Sequence, residues 1–232
     1  MISLIIPAFN ESAVIENTVR ASEKALASLG ETWELLIVDD GSTDDTAARA
    51  KTPGDARVIR YAPNRGKGCA VRTGVLEARG DYIFFTDADL AYGLGVLKSA
   101  VSLFRETGCD IVAGSRRLDQ EAYRAYPPLR KLASHAFSFM TRLLTGLHYD
   151  TQCGFKGFTR EAARAVFSRC SENGFAFDLE ALLTAEKLGL RVRELPVRIV
   201  NHGGSTVRVF RDAPRMARDM LRIRRRVRGR PL

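Results

Sequence analysis

The sequence has few of the features that mark membrane-spanning, secreted or zinc-binding proteins. No apolar run among its 232 residues approaches the roughly 18–20 residues that would span a bilayer. Met1–Pro7 has no basic start, so we interpret it as a strand and not as a signal peptide. Only four cysteines and three histidines are present, dispersed and without a C-x-x-C pair, which argues against a zinc site. We therefore expect free thiols and a reducing, cytoplasmic location.

Net charge is also low, except at the C-terminal end. The formal net charge is +9, but residues 208–232 contain ten arginines and two aspartates, a net +8, which leaves about +1 for residues 1–207. The hydrophobic share of 45% and the charged share of 27% are ordinary for a globular protein. The composition predicts a nearly neutral domain over residues 1–207, followed by a basic segment over 208–232.

Apolar runs alternate with helical patterns along the first half of the chain. Mostly apolar strands are predicted at Ser3–Ile6, Glu34–Val38, Arg57–Tyr61, Tyr82–Thr86 and Asp110–Ala113. Helical periodicity connects them over residues 12–29, 43–51, 66–78 and 96–105. Such strands, separated by helices, predict an α/β fold with a mainly parallel sheet that is flanked by helices.

The second half is less regular and ends in a basic helix. The sequence predicts an amphipathic helix over Arg130–Leu147, irregular chain over Thr151–Phe158, a helix over Phe177–Leu188, a strand over Val192–Val197 and a helix over Arg211–Val227. The last helix has an apolar stripe of Met216, Met220, Ile223 and Val227 beside a basic stripe of Arg211, Arg215, Arg218, Arg222 and Arg225. This pattern is typical of a helix on an anionic membrane surface. A helix docked on the domain is the main alternative, and the first helix of this half likewise faces either the core or lipid.

Four polar clusters follow the predicted strands, and parallel topology places them on one rim of the sheet. They are Pro7–Glu11, Asp39–Asp44, Asn64–Lys67 and Asp87–Asp89. Asp87 and Asp89 offer hard oxygen ligands for Mg²⁺ or Mn²⁺, which would neutralise the phosphates of a bound nucleotide. Lys67, at a helix N-terminus, would attract a phosphate.

Two of these clusters have a structural alternative. The first fits either a nucleotide-contacting loop or a strand-to-helix turn with Asn10 and Glu11 as caps. A carboxylate of Asp39 or Asp40 would accept the ring N–H of uracil or guanine, whereas the residues after them suit the cap of the next helix.

Taken in order, these segments resemble the nucleotide-sugar domain of glycosyltransferase family 2, which has the GT-A fold. The resemblance rests on SLIIPAFNE, LLIVDDGSTDDT, NRGKGCAVRTG, DYIFFTDADL and IVAGSR, across about residues 3–116. The second half, with the segment DTQCGFKGF, resembles the polyprenyl-phosphate hexose synthases, which include dolichyl-phosphate mannose and glucose synthases. The block Thr151–Lys156 is nearer to the glucose branch, and Ala91 stands where mannose synthases often have a Gln ligand.

The resemblance implies a donor site, an acceptor site and a metal. The residues expected at the nucleotide-sugar donor are Pro7, Phe9, Asn10, Glu11, Val38, Asp39, Asp40, Lys67, Asp87, Ala88 and Asp89. Those expected at the acceptor phosphate are Arg116, Arg130, Ser134 and Arg208. Asp87 and Asp89 would bind Mg²⁺ or Mn²⁺, and the catalytic residues would be Asp89, Arg116 and Arg130. Residues 1–116 would form the nucleotide-sugar half of the 1–207 GT-A domain, and 117–207 the acceptor half.

The implied reaction is the inverting transfer of a hexose from UDP-glucose or GDP-mannose to a polyprenyl (dolichyl-type) phosphate. The enzyme would be peripheral on the inner, cytosolic membrane face. A lipid monophosphate, with a second pKa of about 6, is already an anion near neutral pH, so no general base is required. The reaction instead requires cations that bind the acceptor phosphate in spite of its repulsion by the anionic donor, a role that suits Arg116 and Arg130. Asp178 and Glu180 are then structural or positioning residues.

Two other functions stay open. A family 2 enzyme with a sugar or protein hydroxyl as acceptor would need a catalytic carboxylate beyond residue 116, such as Asp150, Asp178 or Glu180. A nucleic-acid-binding protein would use the basic tail, but few aromatic residues lie near it, so we expect no nucleic-acid partner. A membrane-protein partner is a further option for the tail.

Overall fold

The structure, a computed structural model, describes residues 1–119, 128–200 and 209–230, and of residues 128–135, 137 and 209–216 it describes only the backbone. In chain order, the elements of these residues are β1 (Ile2–Ala8), α1 (Ile15–Ala27), β2 (Trp33–Asp40), α2 (Thr46–Lys51), β3 (Arg57–Tyr61), α3 (Lys67–Glu77), β4 (Tyr82–Phe85), α4 (Val96–Thr107), β5 (Ile111–Ser115), α5 (Pro128–Thr145), β6 (Lys156–Thr159), α6 (Arg160–Phe167), α7 (Phe177–Lys187), β7 (Val192–Pro196) and α8 (Val209–Gly229).

The strands of the described residues form one sheet in the order β3-β2-β1-β4-β6-β5-β7. β1 pairs in parallel with β2 and β4, and β2 pairs in parallel with β3. β6 runs antiparallel between β4 and β5, and β7 is parallel to β5. The predicted α/β fold with a mainly parallel sheet is therefore confirmed. Because β1, β2 and β4 are parallel, the loops that follow them meet at the same edge.

Strand β6 overlaps the end of Thr151–Phe158, which the sequence predicts to be irregular, so that prediction is wrong for the last three residues of this range. Lys156 is fully buried, with its Nζ 3.0 Å from Oδ1 of Asp178, so a charged residue occupies a core position of the sheet. Gly157 packs against the ring of Phe84, with which a β-carbon would collide. A lysine and a glycine in a four-residue strand remove the apolar pattern by which strands are recognised.

Apolar side chains cover both faces of the sheet. On β1, Leu4 and Ile6 face the layer that contains α1 and α4, whereas Ile5 faces the layer that contains α3, α6 and α7. Residues of β1 are buried along its whole length, as expected for a central strand with helices on both sides. The polar clusters that follow the strands therefore lie at the rim where the strands end.

The basic C-terminal helix α8 docks on the domain. Its residues Met220, Ile223 and Val227 are at most 4% exposed, and they pack with Leu147 and with leucines of α7. The prediction that this stripe lies on a membrane is therefore wrong for these residues, and the docked alternative is right. An apolar stripe at helical spacing fits any apolar surface, and α5 and α7 provide one. On the opposite side, the arginines Arg218, Arg222 and Arg225 are exposed. Met216, Arg211 and Arg215 lie outside the described side chains.

Helix α5 has one apolar side that packs against the core and another that is exposed, so both of the predicted orientations apply to part of it. Met140 and Leu144 pack against the apolar cluster that includes α8. Phe139 and Leu143, in contrast, are each 68% exposed, and they leave an apolar edge on the surface. Among the described residues, no helix combines the length and the apolar character needed to cross a membrane.

Candidate active site

A cleft of about 530 Å³ lies at the rim where β1, β2 and β4 end. It is lined by Pro7, Ala8, Phe9, Glu11, Asp40, Asn64, Gly66, Lys67, Ala70, Asp87, Ala88, Asp89 and Phe175. All four polar clusters of the sequence contribute to this lining. The parallel topology thus brings together chain segments that are up to about eighty residues apart.

Three residues predicted at the donor do not line this cleft. The side chain of Val38 is fully buried in the core on the α3 side of the sheet. Asp39 is also fully buried, and its Oδ1 accepts a hydrogen bond from the N–H of Ser42 at 3.0 Å. Asn10 has a φ of 56°, and its Oδ1 accepts the N–H of Thr43 at 2.9 Å. Asp39 and Asn10 therefore fix the loops after β1 and β2, but the predicted caps are wrong, since neither α1 nor α2 has a side-chain hydrogen bond at its N-cap.

The carboxylate of Asp40 organises the start of α3. Its two oxygens accept the N–H groups of Arg65 and Gly66, each at 2.8 Å. Gly66 has a φ of 98°, in the region that favours glycine, and a β-carbon there would collide with the carbonyl oxygen of Asn173. Lys67 follows as the first residue of α3, where the helix dipole is positive. A phosphate in the cleft would meet both the dipole and the ammonium group.

Lys67 and Asp87 form an ion pair within the cleft. Nζ of Lys67 donates to Oδ1 of Asp87. Gly154, just before β6, packs against the same carboxylate so closely that a β-carbon would collide with Oδ2. Lys67 thus offsets the charge of Asp87, so a divalent cation would be held mainly through Asp89.

The acidic groups at the mouth of the cleft repel one another. Burial raises the pKa of Glu11 above its ordinary value, and the charges of Asp89, Asp44 and Asp87 raise it further. Burial also raises the pKa of Asp89, again with a contribution from Asp87. A cation stabilises carboxylates such as Glu11 and Asp89, whose pKa values are raised by the negative charges of their neighbours, and oxygen ligands suit Mg²⁺ or Mn²⁺.

The carboxylates of the cleft can bind such a cation only if the substrate supplies further oxygen ligands. Within the described part of the chain, no group of three or more Asp, Glu, His or Cys side chains is arranged to hold a metal ion. Asp89 and Asp87 would therefore need the oxygens of a diphosphate to complete the coordination of Mg²⁺, which usually keeps few protein ligands.

Arg116 is held in a bidentate ion pair. Its Nε and Nη2 donate to Oδ2 and Oδ1 of Asp150, each at 2.9 Å, and its backbone N–H donates to Oδ2 at 3.2 Å. Burial would raise the pKa of Asp150, but the hydrogen bonds and charge of Arg116 outweigh it and hold the pKa below its ordinary value. The plane of the guanidinium group is thereby fixed.

The remaining residues predicted at the acceptor lie outside the described side chains. The backbone of Arg130 and Ser134 belongs to α5, but their side chains are not described, and Arg208 lies outside the described residues. Their part in an acceptor site stays a prediction.

Sequence reasoning predicted Phe9 at the cleft but missed a second aromatic residue of its lining, Phe175. Its side chain is 81% exposed. It lines the cleft although it comes from the loop between α6 and α7, far along the chain from the four polar clusters. The only signal in the sequence is an aromatic residue next to Gly174 in an otherwise polar segment. Lys156, whose ion pair with Asp178 lies beneath the site, was also missed because buried lysines are rare.

Comparison with known proteins identifies the family. The family model described as glycosyl transferase family 2 matches residues 3–167. A dolichyl-phosphate beta-glucosyltransferase of Dictyostelium discoideum is 34% identical over 96% of this chain and 73% of its own length. One from Homo sapiens is 33% identical over 97% of this chain and 75% of its own length.

Solved structures show the same fold. A glucosyl-3-phosphoglycerate synthase of Mycobacterium tuberculosis superposes with a TM-score of 0.72 at 24% identity, over 100% of this chain and 82% of that one. The same enzyme in complex with Mn²⁺, uridine diphosphate and phosphoglyceric acid gives a TM-score of 0.70 at 23% identity, over 100% of this chain and 80% of that one. The chain therefore belongs to glycosyl transferase family 2, and it is a glycosyltransferase of the type to which the dolichyl-phosphate glucosyltransferases belong.

Proposed function

We propose that this protein transfers a hexose from a nucleotide sugar to a polyprenyl phosphate at the cytosolic face of a membrane, with UDP-glucose as the preferred donor. The observation that carries the proposal is the cleft in which the four polar clusters meet around Asp89. The two relatives reported above, which match nearly the whole chain, are named glucosyltransferases, which favours glucose. Ala91, in the place of the Gln ligand frequent in mannose synthases, agrees with this preference.

The cleft offers a distinct group to each part of the donor. Phe9, 44% exposed, and the carboxylate of Asp40 are available to the base. Lys67 and the N-terminus of α3 are available to the diphosphate. A divalent cation on Asp89, with Asp87 beside it, would offset the negative charge that develops on the departing nucleoside diphosphate.

The acceptor needs positioning and not deprotonation. A phosphate monoester is an anion near neutral pH, and its oxygen can displace the nucleoside diphosphate directly, which inverts the anomeric carbon. Arg116, with its guanidinium plane fixed by Asp150, would bind such an oxygen without having to order a flexible side chain.

The same contacts disfavour the alternative with a hydroxyl acceptor. That alternative needs a carboxylate base beyond residue 116, yet Asp150 is paired with Arg116, Asp178 with Lys156, and Glu180 with Arg226. The charge and hydrogen bonds of Arg116 hold the pKa of Asp150 below its ordinary value, so Asp150 is a weaker base. Asp178 and Glu180 are 6% and 0% exposed, so a substrate hydroxyl has little access to them.

The exposed edge of α5 supports a peripheral membrane location. Phe139 and Leu143 are apolar and 68% exposed, and Arg142 beside them is also exposed. Aromatic and aliphatic side chains next to a cation suit shallow insertion at a lipid headgroup layer. Arg130 and Ser134, predicted at the acceptor phosphate, belong to the same helix.

The proposal is tested by transfer to a lipid. Purified protein is incubated with Mg²⁺ or Mn²⁺, polyprenyl phosphate in detergent, and either UDP-glucose or GDP-mannose, each with a radiolabelled sugar. We expect label in the lipid fraction from UDP-glucose. Transfer only to a sugar or protein hydroxyl would favour the alternative, and no transfer from either donor, with active control enzymes, would refute the proposal.

Asp89→Ala should lower transfer at least about 100-fold, because a metal ligand contributes several kcal/mol of charge stabilisation. The matched control is Asp45→Ala, which removes an exposed carboxylate that is not part of the cleft lining. Rates are measured at saturating donor across a Mn²⁺ titration. An Asp89→Ala enzyme with the activity of the control would contradict the metal role.

A further inference from the structure

The loop between α6 and α7 brings an exposed aromatic ring to the donor cleft. Phe175 is 81% exposed and lines the cleft together with Lys67 and Asp89. Covering a side chain of this size stabilises a complex, because it removes apolar surface from water. The flat face of a phenylalanine ring suits a nucleobase or a sugar ring, both of which are planar or have an apolar face.

One side of this loop is anchored on the start of α3. The backbone N–H of Gly68 donates to the carbonyl oxygen of Asn173 at 2.8 Å. The side chain of Asn173 accepts a hydrogen bond from Nη2 of Arg72 at 2.7 Å. A β-carbon at Gly68 would collide with the carbonyl oxygen of Glu172, so the two backbones pack directly on each other. The loop and Lys67, which precedes Gly68, therefore form one wall.

The other side of the loop is anchored on a buried carboxylate. Glu180 of α7 is fully buried, and its Oε2 accepts the N–H groups of Ser171 at 2.8 Å and Glu172 at 2.6 Å. A buried carboxylate is costly unless it is paired with a cation. The cations come from α8 and from the residue that follows it, since Oε1 of Glu180 lies 3.4 Å from Nη1 of Arg226 and 3.2 Å from Nη1 of Arg230.

The same two arginines also bind the loop itself. Nη1 of Arg226 donates to Oγ of Ser171 at 2.7 Å, and its Nη2 lies 3.2 Å from Oε2 of Glu172. Nη2 of Arg230 donates to Oγ of Ser171 at 2.9 Å. Arg226 thus bridges both loop residues that Glu180 holds, and its contacts lie three to four residues before Phe175.

We infer that Phe175 is a donor-contacting residue and that Arg226, through Glu180 and Glu172, is the positioning residue that holds its loop against the cleft. The inference rests on the proposed function in that the nucleotide sugar occupies this cleft. It gives the C-terminal helix a task in donor binding, although α8 contributes no residue to the cleft lining among the described residues.

The test separates donor binding from acceptor binding. KM values for UDP-glucose and for polyprenyl phosphate, and the Kd of UDP-glucose with Mn²⁺ by calorimetry, are measured for the full-length wild type and for variants. Phe175→Ala should raise the donor KM and Kd about 5- to 100-fold, the range expected for loss of an aromatic contact to a base. The acceptor KM should stay unchanged, and Phe175→Tyr should restore donor binding.

Arg226→Ala should raise the donor KM in the same direction, whereas Arg225→Ala, which removes an exposed arginine from the adjacent position of α8, should not. A double variant decides whether Arg226 acts through Phe175. In the Phe175→Ala background, Arg226→Ala should cause little further loss of donor affinity, because the residue that it positions is gone. Thermal unfolding of each variant is followed in parallel, so that lost affinity is compared only among folded proteins.

The outcomes distinguish this inference from the proposed function. A wild type that transfers glucose while Phe175→Ala binds UDP-glucose normally would overturn the inference alone. A rise in the acceptor KM without a change for the donor would overturn it as well. A wild type that binds UDP-glucose but transfers none would overturn the proposed function, and the comparison of Kd values would still decide the role of Phe175. A wild type that does not bind UDP-glucose would overturn both.

Discussion

At the scale of single residues, the charges of the site are paired in ways that divide their roles. Asp87 is bound by Lys67 and Arg116 by Asp150, while Asp89 keeps a raised pKa at the mouth of the cleft. The two acidic residues of one short motif therefore differ in their surroundings. We expect Asp87, whose charge Lys67 offsets, to shape the donor site, and Asp89, which lines the cleft beside other carboxylates, to hold the cation.

The ion pair of Asp150 gives a prediction for the dependence of stability on pH. Since the folded pKa of Asp150 lies below the ordinary 3.8, the pair stabilises the folded state above pH 3.8, and this contribution is lost as the pH falls through the folded value. Asp150→Asn should therefore lower the free energy of unfolding at pH 7 by about 1–3 kcal/mol.

Urea unfolding across a pH series measures the difference in free energy of unfolding between the wild type and Asp150→Asn. It should be constant between neutral pH and pH 5 and narrow only below pH 3.8. Asp45→Asn, at an exposed position, is the control and should change stability little. A difference that already disappears at neutral pH would contradict the assignment.

At the scale of elements, the docking of α8 predicts a large effect in its apolar stripe. Ile223 is fully buried between α8 and α7, so Ile223→Ala should destabilise the protein by about 2–5 kcal/mol. Leu221, two residues away and 36% exposed, provides the control, and Leu221→Ala should cost much less. Both are measured by chemical denaturation in the absence of lipid. Equal and small effects would mean that the stripe is not held against the domain in solution.

The elements also show what sequence patterns can and cannot predict. The strand Arg57–Tyr61 was predicted with its observed limits, and the polar clusters were placed on one rim because parallel strands leave no other place for them. β6 was missed because Lys156 is compensated by Asp178, a residue 22 positions further along the chain. The helix α8 was predicted, but its partner was not, since the same stripe fits lipid or protein.

For the site, too, only some of the residues can be predicted from the sequence. Motifs that follow strands are positioned by the sheet, so their convergence is visible in the sequence. Phe175 reaches the cleft because its loop packs on Gly68 and on Arg226 of α8, contacts that connect distant segments. Val38 and Asp39 belong to a motif of the family, yet burial rather than exposure decides what their side chains can touch.

At the scale of the whole molecule, the cysteines report on global unfolding. All four are buried, and burial raises the pKa of Cys153 to about 11 and that of Cys170 to about 12. At pH 8, only about one Cys153 in a thousand would be a thiolate. We expect native protein to react very slowly with a thiol reagent such as DTNB, and all four thiols to react once urea has unfolded the chain.

A surface thiol provides the control for this experiment. Ser168 is exposed, so Ser168→Cys should add one group that reacts at once while the other four stay protected. The slow phase should accelerate with urea in step with unfolding measured by circular dichroism. Rapid labelling of the original thiols in native buffer would show that the core opens locally.

The antiparallel strand β6 finally has a consequence for the order in which the protein can fold during synthesis. In the sheet of the described residues, β5 has β6 and β7 as its neighbours, and both are translated later than β5 itself. A nascent chain that ends before Lys156 contains every donor motif, but β5 and the adjacent Arg116 have no strand beside them. The acceptor side of the sheet can be joined to β4 only after β6 has left the ribosome, so the sheet is completed from the middle and late in translation.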